Sequence, residues 1–385
     1  MLYALIFLNL TIFERILNLN IGFMSIGIGD IFIILFLFFN IFGSKKLNID
    51  KGIFIIAILF FVSIFASLIF NSSYYGLNSL FTVPAKIMVG AIIATHMLSS
   101  ELNRKHILLL DINILIFIFI EIFLSDASPF FSFEFFNRNE TLAYISCLFC
   151  LRSTCIYIGK IGDFNFLKNV FIPFLIIFSC AIIVQSRQAS LAALVFIATY
   201  YLASSINKKL LVRRGILTLG LFGILLSFFS TIEVSGYAGS RIQTLQTLEP
   251  SNRADQQRLA NIIQSYEGFK ESPIIGNGPT SFIRNNPFNK VAHNTFASTL
   301  YELGMVGLIV LFMLFKKLLI TANIKTYDER SRLFSKLIAS FALFLIFQSL
   351  FIEALPKAPL YIILSCCICF TKRVKFNKAL SQTQN

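Results

Sequence analysis

The chain has 385 residues, 56% of them hydrophobic and only 14% charged, with 45 phenylalanines and no tryptophan. A mean hydropathy of +0.78 excludes a soluble globular domain, because no water-exposed fold hides that much apolar surface; the solvent for most of the chain is lipid. The net charge of +14 follows from loops that orient a membrane protein, so it calls for no nucleic acid partner.

Taken in order, about twelve apolar runs are long enough to cross a bilayer, at 2–19, 25–42, 52–70, 80–98, 107–124, 141–158, 170–184, 189–206, 216–232, 294–315, 333–352 and 359–370. The first contains Glu14 and Arg15, and the last is short. Because the first has no small-residue cleavage site, it reads as a retained span. Cys147, Cys150, Cys155, Cys180, Cys366, Cys367 and Cys369 lie in or beside these runs, where cysteine acts as a small hydrophobe. No histidine or acid stands at ligand spacing around Cys366, Cys367 and Cys369, and no metal site is expected there.

Loops rich in lysine and arginine alternate along the chain: Lys45, Lys46 and Lys51; Arg104 and Lys105; Lys160 and Lys168; Lys208, Lys209, Arg213 and Arg214; Lys316, Lys317, Lys325, Arg330 and Arg332; and Lys372, Arg373, Lys375 and Lys378. They share one side, which the positive-inside rule makes cytoplasmic, along with both termini. The chain then divides into spans at 1–232, a large outer loop at 233–293, and spans with a cytoplasmic tail at 294–385. A structureless loop of about sixty residues is unusual unless it is functional. Within it, Leu259, Ile262, Ile263, Tyr266 and Phe269 recur near helical spacing, predicting a helix at about 255–270 that lies over the membrane domain. Pro273 ends that helix, and Gly276-Asn277-Gly278 permits a tight turn. No internal repeat of the transporter kind is present.

Arginines on the outer side are not explained by orientation. Arg187, in Gln185-Ser186-Arg187-Gln188, either snorkels to headgroups or holds an anion in its planar guanidinium fork. Arg258 either pairs with Asp255 or Glu267 on the loop helix or joins the same anion site, and Arg241, Arg253 and Arg284 are further outer arginines. His293 stands beside Asn294 where the loop meets a span, a place from which a histidine can accept a proton as general base. Asp126, Glu134 and Glu140 read as local hydrogen-bonding groups, whereas Asp30, Asp111 and Glu121 lie in or at the ends of spans, where an ionisable group is costly and so suggestive.

Ser186-Arg187-Gln188-Ala189, Arg258 with Pro273-Ile274-Ile275-Gly276-Asn277-Gly278, and His293-Asn294-Thr295-Phe296 with Glu302-Leu303-Gly304 and Gly307 together resemble the O-antigen ligase and O-antigen polymerase superfamily. Asn137-Arg138-Asn139-Glu140 resembles a further polar motif of that family, and the topology is similar over nearly the whole chain. The resemblance implies an all-α polytopic membrane protein of the GT-C kind with about twelve transmembrane helices and one large, partly helical periplasmic loop. It implies a bacterial inner-membrane glycosyltransferase with its active site facing the periplasm and no metal or other cofactor. The implied partners are the lipid bilayer, undecaprenyl-pyrophosphate-linked oligosaccharides as donor and acceptor, and a chain-length regulator protein.

In that setting Arg187 and Arg258 are expected to stabilise the charge developing on the lipid pyrophosphate, and His293 to take the acceptor hydroxyl's proton in an inverting attack. Arg241, Asn294, Arg138, Gly276, Gly278 and Glu302 are the expected substrate-binding residues. A polymerase joins one lipid-linked repeat unit to another; a ligase moves the finished chain to lipid A-core. The skew toward phenylalanine, isoleucine and asparagine resembles polymerases of surface-polysaccharide clusters, which favours polymerase with ligase as the alternative. A flippase for lipid-linked sugars is a third reading, and the single large loop and the lack of repeated halves weigh against it.

Overall fold

The computed structural model describes residues 18–21, 24–27, 50–71, 77–99, 101–124, 138–162, 164–184, 186–203, 253–286, 292–322, 328–350 and 358–383. An antiparallel hairpin, β1 (Asn18–Ile21) and β2 (Met24–Gly27), precedes the helices α1 (Lys51–Phe70), α2 (Leu77–Ser99) and α3 (Arg104–Phe119). They are followed by α4 (Arg138–Ile158), α5 (Ile172–Ile183), α6 (Arg187–Ala203), α7 (Arg253–Glu271), α8 (Ser281–Asn285), α9 (Thr295–Ala322), α10 (Glu329–Gln348) and α11 (Ala358–Thr383). Single π-helical turns, Ile120–Leu124 and Leu167–Phe171, extend α3 and introduce α5.

The chain is helical as expected apart from the short hairpin, where Asn18 faces Gly27 and Ile21 faces Met24 in place of the end of one span and the start of the next. Asparagine and glycine interrupt the apolar run there, and both are poor helix formers. The rest of runs 2–19 and 25–42, and all of run 216–232, lie outside the described residues. The other nine expected spans coincide with helices. Among the described residues, five segments are long and apolar enough to cross a membrane: Lys51–Phe70, Arg104–Leu124, Thr141–Ile158, Thr295–Thr321 and Glu329–Gln348. The final run, short as an apolar stretch, is the first half of the long α11, and residues 359–370 are buried throughout. Polar Thr371, Lys372 and Arg373 end the apolar run but not the helix.

Burial divides the helices into lipid-facing and central ones. α1 exposes Phe54, Ile58, Phe65 and Ile69, and α3 exposes Leu108, Leu115, Ile116 and Phe119, an outward apolar face that only a membrane solvates. α4 and α11 are central. Gly90 of α2 lets α11 approach so closely that a Cβ there would lie 2.8 Å from the Tyr361 carbonyl oxygen. Ser365 Oγ donates to the Gly90 carbonyl at 2.7 Å, and Cys369 Sγ donates to the Ala94 carbonyl at 3.1 Å. The cysteine cluster therefore packs one helix against another.

Aromatic contacts and ion pairs fix which helix ends lie together. Tyr157 at the end of α4 stacks on Phe334 near the start of α10 at 4.2 Å, and Phe370 of α11 meets both rings. Phe164 also meets Phe334, and Phe166 lies 5.5 Å from Tyr200 near the end of α6. Arg330 donates to the Ile156 carbonyl at 3.0 Å, and Lys317 lies 3.0 Å from Asp50, the N-cap of α1. These residues define a basic end of the bundle. α5 and α6 run away from it and back, so Arg187 lies at the opposite end, as do the end of α10 and the start of α9, which are tied by Thr295 N–H donating to the Ser349 carbonyl at 2.9 Å.

Between α3 and α4, the partly exposed Asp111 pairs with Arg152 at 2.5 Å. Glu121, fully buried, sits in the π-helical turn that ends α3. Asp30 lies outside the described residues.

Candidate functional site at the end opposite the basic residues

Ser186 builds the start of α6. It is buried, its Oγ accepts from Ala189 N–H at 3.2 Å, and its carbonyl accepts from Ser190 N–H at 3.0 Å, an N-cap that fixes the backbone of Arg187 as the first helical residue. Asn294 does the same for α9, its Oδ1 accepting from Phe296 and Ala297 N–H at 2.9 and 3.1 Å. With Thr295 N–H given to Ser349, the first three N–H groups of α9 all have protein partners, so this helix end offers an incoming anion little beyond its dipole.

His293 is held between buried Ala292 and the Asn294 cap with φ of 52°, a left-handed conformation that histidine tolerates better than most residues. It is partly exposed, a condition a proton acceptor for an external hydroxyl must meet.

The centre of the site's scaffold is a break in α9. Gly304 has φ of 60° and ψ of −156°, which interrupts the helical ladder and strips four backbone groups of their helical partners. The loop segment 273–278 replaces all four. Asn277 and Gly278 N–H donate to the Tyr301 and Glu302 carbonyls at 2.9 and 3.0 Å, while Met305 and Val306 N–H donate to the Pro273 and Ile274 carbonyls at 2.9 and 3.1 Å. This exchange needs two backbones in near contact. A Cβ on Gly276 (φ 70°) would lie 2.3 Å from the Glu302 carbonyl carbon, and one on Gly304 would lie 2.5 Å from the Ile274 carbonyl oxygen.

Side chains seal the joint. Ser67 of α1 donates to the Glu302 carbonyl at 2.8 Å, Asn71 and Ser272 each donate to the Gly276 carbonyl at 2.8 Å, and Asn277 donates to the Gly268 carbonyl at 2.7 Å.

Helix α7 forms as its spacing predicts, but with its faces reversed. The residues packed against the protein are Asn261, Ser265 and Gly268, the last so close to Tyr301 that a Cβ would lie 2.1 Å from the ring. Asn286 donates to Asn261 Oδ1 at 2.9 Å and to Gln264 Oε1 at 3.0 Å, and Asn285 donates to Tyr301 Oη at 2.9 Å. Leu259, Ile262, Ile263 and Tyr266 point outward instead, each between 49% and 55% exposed. α7 packs on α9, and small polar residues make the joint, because hydrogen bonds and close approach hold it.

The structure thus brings His293, Asn294, the start of α6 and the end of α10 to one end of the molecule. It carries Arg258 on α7, and Gly276, Gly278 and Glu302 in the joint with α9. Arg138 is the first residue of α4. Arg241, and the side chains of Arg138, Arg187 and Arg258, lie outside the described residues. The backbone contacts give Gly276, Gly278 and the Glu302 carbonyl an architectural part, and the Asn294 oxygen is taken up by its cap.

One residue escaped the sequence reading. Gln348, the last of α10 and neighbour of Ser349, is 2% exposed, and its Oε1 has no hydrogen-bond partner among the described residues. A single amide at the outer end of an apolar run is a faint signal.

Residues 173–312 match the family model described as O-antigen ligase. The matched segment runs from α5 to beyond the break in α9, taking in Arg187, Arg241, Arg258, Gly276, Gly278, His293, Asn294 and Glu302. No curated protein matches the chain.

Proposed function

We propose, from the premise that this chain carries the O-antigen ligase-type domain of the O-antigen ligase and polymerase superfamily over residues 173–312, that it is an O-antigen polymerase. The observation that carries the reading is that His293 and the Arg187 turn lie at the same end of an apolar bundle, opposite the end that gathers the basic residues. By the positive-inside rule the basic end is cytoplasmic, so the site faces the periplasm of a bacterial inner membrane.

The acceptor hydroxyl of one lipid-linked repeat unit attacks the anomeric carbon of the glycan on another. A new glycosidic C–O bond forms as the C–O bond to the pyrophosphate breaks, with inversion, and the hydroxyl proton passes to His293. The departing undecaprenyl pyrophosphate gains negative charge, which Arg187 and Arg258 receive, with Arg241 beside them. In this mechanism guanidinium groups serve where many nucleotide-sugar transferases use a divalent ion. Arg138, Asn294 and Glu302 line the approach of the glycan, and Gly276 and Gly278 hold the loop that shapes it. A chain-length regulator is the expected protein partner.

The ligase reading stands second, because the matched family bears that description. A gel of surface lipopolysaccharide from a deletion strain, complemented with wild type or with His293→Ala, tests both. Core bearing a single repeat unit marks a polymerase. Bare core with long glycan retained on the carrier marks a ligase, and a normal ladder in the deletion strain overturns both.

A further inference from the structure

Three arcs run along α7 at the helical period. Asn261, Ser265 and Gly268 are buried against the protein; Glu267 and Glu271 are exposed and acidic; Leu259, Ile262, Ile263 and Tyr266 are exposed and apolar, and Lys270 closes that apolar arc at its C-terminal end. A helix over an aqueous loop would turn its charged arc to water and its apolar arc to the protein. Here the protein has taken the small polar arc, so the apolar arc needs another environment.

Its neighbours identify that environment. α7 packs on α9, and Val306 N–H of α9 bonds to the Ile274 carbonyl, just beyond α7. Ile274 is 67% exposed, and Met305, Val306, Ile309 and Phe312 continue as an exposed apolar row down α9, a helix long and apolar enough to span a membrane. The outward face of α7 therefore continues a surface that lipid already covers. Lys270 ends the apolar arc one turn after Tyr266, its Nζ 4.4 Å from the centroid of that ring, and a tyrosine with a long-stemmed cation at the end of an apolar face matches the headgroup layer.

We propose that α7 is an interfacial helix whose Leu259, Ile262, Ile263 and Tyr266 face lies among the lipid chains of the leaflet at the site end, continuous with the lipid-facing row of α9. The charged arc then faces water, and an apolar face of this type sits roughly 5–10 Å into the boundary between headgroups and chains. Arg258, one residue before Leu259 on the same helix, is held at headgroup depth, the level of a lipid-borne phosphate; that last consequence rests on the polymerase reading, whereas the placement of α7 does not.

The absence of native tryptophan allows a direct test. Full-length Ile263→Trp, Ile262→Trp and Glu267→Trp proteins are reconstituted in nanodiscs of ordinary or brominated phosphatidylcholine, with elution profile and melting temperature confirming the fold. The expected result is emission at shorter wavelength and about twofold quenching by bromolipid for both isoleucine variants, with Glu267→Trp quenched by aqueous acrylamide instead. Having two isoleucine variants guards against one that misfolds. Acrylamide quenching of all three tryptophans places α7 in water and overturns the proposal. Protection of the isoleucine-site tryptophans from both quenchers shows that protein, from this chain or a second copy, covers the face, and equally overturns it.

Discussion

At the scale of single residues, the site's chemistry rests on a few side chains fixed by their backbones. His293→Ala should lower the turnover of lipid-linked repeat units about 100-fold or more, as removal of a general base does, while donor binding by the purified protein persists. Loss of binding together with turnover would assign His293 to recognition. Arg187→Lys keeps the charge and loses the fork, and a fall in kcat/KM of about tenfold is expected; near-normal activity would remove Arg187 from the phosphate. Gln348 permits a sharper separation. Replacing a buried oxygen that lacks a partner among the described residues by an apolar group of similar shape is neutral or stabilising, so Gln348→Met should melt at or above the wild-type temperature. If activity nevertheless falls, the oxygen is held for substrate. Of these residues, the histidine and arginines were legible in the sequence because polar groups stand out in an apolar chain. Gln348 was not, because what singles it out is a buried oxygen with no hydrogen-bond partner among the described residues, which only packing reveals.

At the scale of elements, the joint between 273–278 and α9 holds the loop to the bundle. Gly304→Ala puts a methyl group into a left-handed backbone 2.5 Å from a carbonyl oxygen, and a loss of about 2–4 kcal/mol is expected, read as a lower melting temperature in detergent. At the basic end, burial pushes the Asp50 carboxyl up, but the Lys317 hydrogen bond and charge and the Ile53 and Gly52 N–H groups outweigh it and hold it below its ordinary value of 3.8. A carboxyl lowered in this way contributes stability above its unfolded value and loses it as pH falls through the folded one. Wild type should therefore lose stability below about pH 4 by more than Asp50→Asn does, measured as parallel melting curves. The helices themselves were legible as apolar runs, and α7 as a periodic stripe. The facing of α7 was not, because periodicity says that one side of a helix is apolar without saying whether protein or lipid solvates it. Equally, the pairing of Gly276 with Gly304 is a contact between backbones far apart in sequence, and no composition announces it.

For the whole molecule, the two ends predict a sidedness that can be read directly. All seven native cysteines are buried, so a single introduced thiol is labelled against a low background. Arg284→Cys, exposed beside the loop joint, should react with a membrane-impermeant maleimide in cells with a permeable outer membrane. Lys375→Cys, exposed at the basic end of α11, should react only after the inner membrane is opened. The reverse pattern would invert the orientation and move the site to the cytoplasm. The alternation of basic loops is what gives this expectation, since orientation depends on charge and span count and not on packing.

The spliced break in α9 also bears on the order of assembly. Lipid offers no partner to an open peptide group, so an α9 interrupted at Gly304 cannot settle in the membrane until segment 273–278 is at hand. That segment precedes α9 in the chain and is synthesised first. The nascent segment is therefore available as a template, and the arriving helix is completed against it, making the loop a folding partner of the span that follows. Shifting 273–278 by one residue would strand backbone groups on both sides of the break, and the expected product is a protein cleared during biogenesis before any loss of catalysis could be measured.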